Sequence, residues 1–252
     1  MQNIRVKAVR VSHHDRHVDA VLYMPEQRGV YPIVIFSHGY NGHKSDFDES
    51  ARFLAERGTA AICYTFCGGS SRDESGMATT DMTLFTEKED LQAVIMYAKS
   101  LEEVDVDNIF AFGASQGGLV TALTVDNMDE DIKGMILLFP AFCIADDWNK
   151  RFPRMEDIPE EQELWGMTMG RHFFETIHGM DVFEHVGKYK NDILVIHGDI
   201  DPVVELGYSR RLETIYENVR LEVFVGEGHG FTAEGNQKMT QMLYKFVTDC
   251  MK

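Results

Sequence analysis

The sequence predicts an α/β architecture: an eight-stranded, mostly parallel sheet covered by helices on both faces. Three observations predict it. Short apolar, β-branched runs such as Ile33-Val34-Ile35-Phe36 suit strands buried on both faces. Those runs alternate with segments of helical period, the order that builds parallel crossovers. One crossover is replaced by roughly fifty residues, too long for a structureless loop.

Ile4 to Val11 alternates apolar and polar side chains, as a half-exposed strand does. Ala20 to Met24 makes a second strand, ended by Pro25, and the Gly29-Val30-Tyr31-Pro32 segment turns the chain. Ile33 to Phe36 and Thr59 to Thr65 are the next two strands. Between them Ser45 to Arg57 places Phe47, Ala51, Leu54 and Ala55 on one helical face, with Gly58 as the stop. Glu87 to Leu101 carries the stripe Leu91, Val94, Ile95 and Ala98. Strands follow at Asn108 to Phe112, Gly134 to Phe139, Ile193 to His197 and Leu221 to Val225. Helices are expected at Gly118 to Val125, Glu205 to Tyr216 and Asn236 to Cys250.

The 252 residues suit one such domain with an insertion, and 44% hydrophobic content makes the chain globular. A net charge of -17 argues against nucleic acid and anionic membranes, both of which require basic patches. Cys63, Cys67, Cys143 and Cys250 match no zinc or Cys-x-x-Cys spacing. No apolar stretch reaches membrane-spanning length and Met1 to Arg5 opens no apolar leader, so a cytoplasmic, reduced protein is expected.

Gly113-Ala114-Ser115-Gln116-Gly117 joins a strand to a helix. Gly-x-Ser-x-Gly in that context is a nucleophile elbow. The turn is so sharp that only glycine clears its neighbours at the flanking positions. The serine hydroxyl is then raised at a helix N-terminus, where developing negative charge is favoured. An acid and a histidine follow in the order Ser, Asp, His, each just after a strand. They lie in His197-Gly198-Asp199-Ile200-Asp201 and in Gly228-His229-Gly230. A serine hydroxyl needs a base within hydrogen-bond reach, and that base needs a partner to fix its tautomer. Ser115 is therefore the expected nucleophile and His229 the general base. Asp199 and Asp201 both stand where the orienting carboxylate is required.

The insertion, expected as a cap over residues 141–188 between core segments 1–140 and 189–252, is rich in aromatics and acids. It holds both tryptophans, Trp148 and Trp165, with Phe142, Phe152, Phe173, Phe174, Asp146, Asp147 and Gln162. Ligands bind outside the C-terminal ends of the strands in open α/β sheets, so this segment is placed over Ser115. Its aromatics either line a pocket or form a small core of their own. Trp148 and Trp165 are the candidate ring-binding residues, and Asp146 and Asp147 candidate partners for a polar substituent.

Other suggestive clusters carry less. His13-His14-Asp15-Arg16-His17 reads as a polar turn, because adjacent side chains point apart. His43, His172, His178 and His185 lack ligand-like neighbours. Gly68-Gly69-Ser70-Ser71 lacks the lysine of a phosphate loop. No metal or cofactor is expected.

With these residues in place the chain resembles the α/β-hydrolase superfamily along essentially its whole length. The matching segments are His38-Gly39-Tyr40, Gly113 to Gly118, His197 through Val204, and Gly228-His229-Gly230-Phe231. It is most similar to the small bacterial cinnamoyl (feruloyl) esterases, which share a compact insertion after the sixth strand, the His-Gly loop and the Asp-x-Val-Val stretch. Ala-Ser-Gln stands at the elbow where many members have His-Ser-Met, which alters the shape beside the serine and leaves the nucleophile intact. The resemblance implies Asp201 as the acid and the backbone N–H of Tyr40 as an oxyanion donor beside that of Gln116. It implies His38 as a support for the loop.

The implied activity is hydrolysis of carboxylic esters, with hydroxycinnamates preferred. Monoacylglycerol lipases, thioesterases and acyl-peptidases share most of these residues, and a ligand receptor of the same fold is a rival of another kind. The implied partner is a small-molecule ester, with a homodimer as the protein assembly considered.

Overall fold

The computed structural model describes residues 2–13 and 16–251. His14 and Asp15 of the histidine-rich turn lie outside the described residues. Among the described residues, ten strands and seven α-helices follow one another as β1 (Ile4–His13), β2 (Arg16–Pro25), β3 (Tyr31–Ser37), α1 (Asp48–Ala55), β4 (Ala60–Tyr64), α2 (Leu84–Lys99), β5 (Val104–Ala114), α3 (Gln116–Val125), β6 (Gly134–Leu138), α4 (Ile144–Arg151), β7 (Glu161–Leu164), β8 (Met167–Gly170), α5 (Arg171–Ile177), β9 (Asp192–Gly198), α6 (Leu206–Leu212), β10 (Val219–Phe224) and α7 (Ala233–Cys250).

Eight strands form one sheet in the order β1-β2-β4-β3-β5-β6-β9-β10. Only β2 runs against the rest: it pairs antiparallel with β1 and β4, and every other pairing in this sheet is parallel. The central strands divide their side chains by parity, as the pleat requires. Ile33, Ile35, Ile109, Ala111, Met135, Leu137, Ile193 and Val195 join one core with Leu91, Val94 and Leu119 of the helices. Val34, Phe36, Phe110, Phe112, Ile136, Leu138, Leu194 and Ile196 join the other, beneath Leu54, Met239 and Leu243. Both faces are therefore covered, which is why these strands read as unbroken apolar runs.

Two helix starts differ from expectation because side chains cap the backbone. α2 begins three residues early: Thr83 and Thr86 bond each other's backbone N–H reciprocally, a capping box with threonine in the place of glutamate. α7 begins at Ala233 because Thr232 accepts from Gly235 N–H. α6 is shorter than the run Glu205 to Tyr216 suggested, ending at Leu212.

The long connection between β6 and β9 is structured. It contains α4, the β7–β8 hairpin and α5. The hairpin turns on Trp165 and Gly166, at φ 46° and 78°. Two left-handed residues give the two-residue turn that matches strand twist. At its far end the connection is held by Asp126, whose Oδ1 accepts the N–H groups of Gly187 and Lys188 at 2.6 and 2.9 Å. No described helix is long and apolar enough to cross a membrane.

Candidate active site

Ser115 sits between β5 and α3 with φ 52° and ψ -121°. Its own backbone anchors the turn: Ser115 N–H donates to Leu138 O, and Ser115 O accepts from Gly118 and Ala141 N–H, each at 2.9 Å. The packing there leaves no room for a side chain at Gly117. A Cβ would stand 2.2 Å from His38 O. Gly39 passes so close that its Cβ would meet Ser115 Cβ at 3.0 Å. The glycines thus let the His38 loop and the elbow press together.

The structure brings Ser115, His229 and Asp201 into one hydrogen-bonded chain. His229 Nε2 lies 2.9 Å from Ser115 Oγ, and Nδ1 lies 2.8 Å from Asp201 Oδ2. A carboxylate accepts only, so Nδ1 carries the proton and Nε2 is left to receive one. Phe139 packs against the imidazole at 4.6 Å between centroids. Between the two candidate acids the geometry is unequal. Asp201 faces His229 with a fully buried side chain. Asp199 is exposed and accepts Gly226 N–H at 2.6 Å.

Asp201 has a further set of donors. Its Oδ1 accepts the N–H groups of Val203 and Val204 at 2.8 and 2.9 Å. Burial pushes this carboxyl up, but donation from His197, His229 and the two backbone groups outweighs it and holds the group well below the usual carboxylate range. It is ionised throughout the neutral range.

His38 is buried in the loop after β3. Its Nε2 accepts Phe66 N–H at 3.0 Å, which leaves Nδ1–H to donate to Gly39 O at 2.6 Å. Burial lowers its imidazole to about 4, so it is neutral and braces the loop. Tyr40 follows and lines the same cavity as Ser115 and Gln116. Its hydroxyl lies 3.0 Å from both Leu164 O and Met167 O, and Asn41 Nδ2 donates to Trp165 O at 3.1 Å. The loop and the hairpin turn are therefore fastened together.

The cavity over Ser115 is ≈ 260 Å³, and its walls include Trp148, Trp165, Asp147, Ile144, Leu164, Met169 and Val204. The insertion's aromatics divide between the two expected roles. Phe142, Phe173 and Phe174 are buried core. Trp148 stacks on Phe152 at 5.7 Å and still faces the cavity, while Trp165 is 63% exposed at its rim. Asp147 is on the wall, but Asp146 is not among the wall residues and instead accepts the Tyr208 hydroxyl at 2.7 Å. Consecutive helical residues diverge by about 100°, so α4 can turn only one of the pair inward. Gln162 donates to Glu163 O. Arg151, and Cys143 of the four cysteines, also line the cavity, a placement the sequence did not predict.

Glu87, expected only as the first residue of a helix, lies beside this site. It is fully buried under the elbow, with Gln116 Nε2 at 3.0 and 2.9 Å from its two oxygens. Burial pushes its carboxyl up to about 8 against the Gln116 hydrogen bond, and Asp90 adds to the rise. The folded state therefore retains a proton there that an unfolded chain, with the ordinary value of 4.5, releases. Stability from this group is whole below about 4.5 and is lost as pH rises to about 8. Denaturant unfolding of wild type and Glu87→Gln across pH 5 to 9 should show wild type losing ground to the variant up to about pH 8, then a constant difference. Parallel pH curves would refute the buried-acid assignment.

Residues 30–175 match the hydrolase family described as serine aminopeptidase, S33, more than half of the chain. Among solved structures, the ferulic-acid complex of Est1E from Butyrivibrio proteoclasticus superimposes with a TM-score of 0.87 at 27% identity, over 97% of this chain and 99% of that one. An acetyl xylan esterase from Paenibacillus sp. R4 shares the fold, with a TM-score of 0.71 at 18% identity over 99% of this chain and 85% of that one. The quorum-quenching protein AidA of Acinetobacter baumannii (strain MDR-ZJ06) is 31% identical over 114 residues, 44% of this chain and 36% of that protein. The chain thus spans just over a third of that curated relative's length. With the elbow, the sheet order and the match over residues 30–175 in agreement, the chain belongs to the serine aminopeptidase S33 family and has the α/β-hydrolase fold.

Proposed function

We propose that the protein is a carboxylesterase acting through an acyl-enzyme, with hydroxycinnamate (feruloyl) esters as its preferred substrates. The observation that carries this reading is the chain Asp201–His229–Ser115 opening onto a cavity walled by Trp148 and Trp165. Ser115 Oγ attacks the ester carbonyl while His229 Nε2 takes its proton. Asp201 keeps Nδ1–H oriented and stabilises the imidazolium. The backbone N–H groups of Tyr40 and Gln116 hold the oxyanion. Collapse expels the alcohol, which takes the proton back from His229. Water then repeats the cycle on the acyl-enzyme and frees the acid.

For the acyl group, the flat walls suit an aromatic ring, since aromatic pairs add about 0.5–1.5 kcal/mol beyond burial. The cavity volume lies just below the ~300–1,000 Å³ of drug-sized sites, which fits one small acyl group better than a long chain. Asp147 is the acid available to a phenolic hydroxyl. The Est1E likeness supports the same class, because that protein was captured with ferulic acid.

Ser115→Ala and His229→Ala are each expected to lose most of kcat on p-nitrophenyl acetate, with the double variant little worse than either, because the set acts as a unit. Losses that add in log units would remove the assignment. Activity should fall on the acid side of the pH profile, because a protonated His229 Nε2 cannot take the serine proton.

Asp201→Asn should be far more damaging than Asp199→Asn, since an amide offers the wrong group to Nδ1–H. In a serine protease the equivalent exchange lowers kcat by about ten-thousandfold, and a loss of that order is expected here. A crippled Asp199→Asn beside an active Asp201→Asn would reverse the two roles.

For substrate choice, a panel of methyl ferulate, methyl p-coumarate, an aliphatic methyl ester, an acyl-CoA and an aminoacyl anilide decides between the esterase and its thioesterase and peptidase rivals. Higher kcat/KM on the hydroxycinnamates is expected, and Trp148→Ala or Trp165→Ala should lower that preference more than p-nitrophenyl acetate turnover. Equal losses on both would make the tryptophans structural.

A further inference from the structure

His197 lies at the end of β9 with a fully buried side chain, and its ring reaches the same carboxylate oxygen that His229 uses. Its Nε2 lies 3.0 Å from Val204 O and 3.3 Å from Asp201 Oδ2. Both are acceptors, so the ring proton sits on Nε2 and is shared between them. Nδ1 is left to accept the Ser209 hydroxyl from α6 at 2.7 Å. Hydrogen bonds, with one longer polar contact of 3.3 Å from His197 to Asp201, thus link five side chains: Ser209, His197, Asp201, His229 and Ser115.

We infer that His197 is a positioning residue of the proposed reaction: it acts through Asp201 to set how strongly that carboxylate binds the His229 imidazolium. The inference rests on the esterase reading above. Two histidines share one negative charge. Asp201 Oδ2 receives both imidazole donors, and each donor withdraws charge from what the other can hold. The titratable side chains facing Asp201 are His197 from β9 and His229 from the loop after β10; the remaining donors, Val203 and Val204 N–H, are uncharged, as is Ser209 behind His197. Without the His197 donor, Oδ2 keeps more charge for His229, and the imidazolium is favoured in the free enzyme. The carboxylate also loses one of the contacts that fix its rotation. Ser209 supports this by donating to Nδ1, which polarises the ring and makes Nε2–H the stronger donor; without its hydroxyl that donor weakens.

The experiment is the pH dependence of kcat/KM for p-nitrophenyl acetate, with wild type, His197→Met, His197→Gln, Ser209→Ala and Ser115→Ala measured together. His197→Met removes the donor at similar length, and its acid limb should move up by roughly half to one pH unit. Activity relative to wild type should then be about 3- to 10-fold lower at pH 6 than at pH 8. His197→Gln restores an N–H donor near the Nε2 position and should return the limb toward wild type. Ser209→Ala should move the limb in the same direction as His197→Met, by less, and serves alone if His197→Met does not fold. A limb that stays in place in folded His197→Met, or in Ser209→Ala, overturns the inference, as does an equal shift in His197→Gln and His197→Met. If Ser115→Ala keeps wild-type turnover, the esterase reading itself fails; if Ser115→Ala is inactive and the limb does not move, only the role of His197 does.

Discussion

Ser115 holds a left-handed backbone, φ 52°, that an L-residue adopts at a cost of about 1–3 kcal/mol. The surrounding architecture is arranged to enforce it. Strand β6 receives the Ser115 N–H at Leu138, and the start of the insertion donates Ala141 N–H back to Ser115 O. Gly117 lies against His38 O with no space for a methyl group. The sheet supplies the rigidity, since β5 lies between β3 and β6 and is bonded to both. The loop after β10 brings His229 Nε2 to 2.9 Å from the hydroxyl fixed in this way.

Three buried carboxylates show how environment assigns different tasks to one chemical group. Asp201 is surrounded by N–H donors and stays ionised. Glu87 has an amide for company and no cation, so burial wins and it keeps its proton to about pH 8. Asp126 gathers backbone N–H groups from residues 187 and 188 and fastens the insertion's return to the end of α3. The number and charge of donors decide the first two cases, because an unpaired buried charge is costly.

The insertion is tied to the core at the points where the cavity needs definition. Tyr40 and Asn41 bind carbonyls at the hairpin turn, so the loop beside Ser115 and the wall carrying Trp165 are held in one arrangement. Trp148 is set by its stacking on Phe152 and its edge contact with Phe174. One tryptophan is thus packed from behind and the other stands at an open rim, which gives the cavity a firm wall and an exposed edge.

Features that depend on local order along the chain are legible in the sequence itself. The two-face burial of Ile33 to Phe36, the strand–turn–helix around Ser115 and the Ser, Asp, His succession are all properties of neighbouring residues and spacing. The length of the insertion and its aromatic richness could be read in the same way. Helix starts were missed where the cap was unusual, as with the Thr83–Thr86 pair. Features that depend on meeting across the fold emerged with the packed chain alone. Asp199 and Asp201 are two residues apart and chemically identical; the family resemblance implied Asp201, and the physical reason is the approach of His229 from beyond another strand. Asp146 and Asp147 differ only in which side of α4 meets the cavity. His197 and Glu87 look like an ordinary strand-end histidine and an ordinary first-turn acid, and they acquire their roles from Asp201 and Gln116. Periodicity and turn chemistry are encoded locally, whereas the pairing of a buried charge depends on which distant groups the packed fold brings to it.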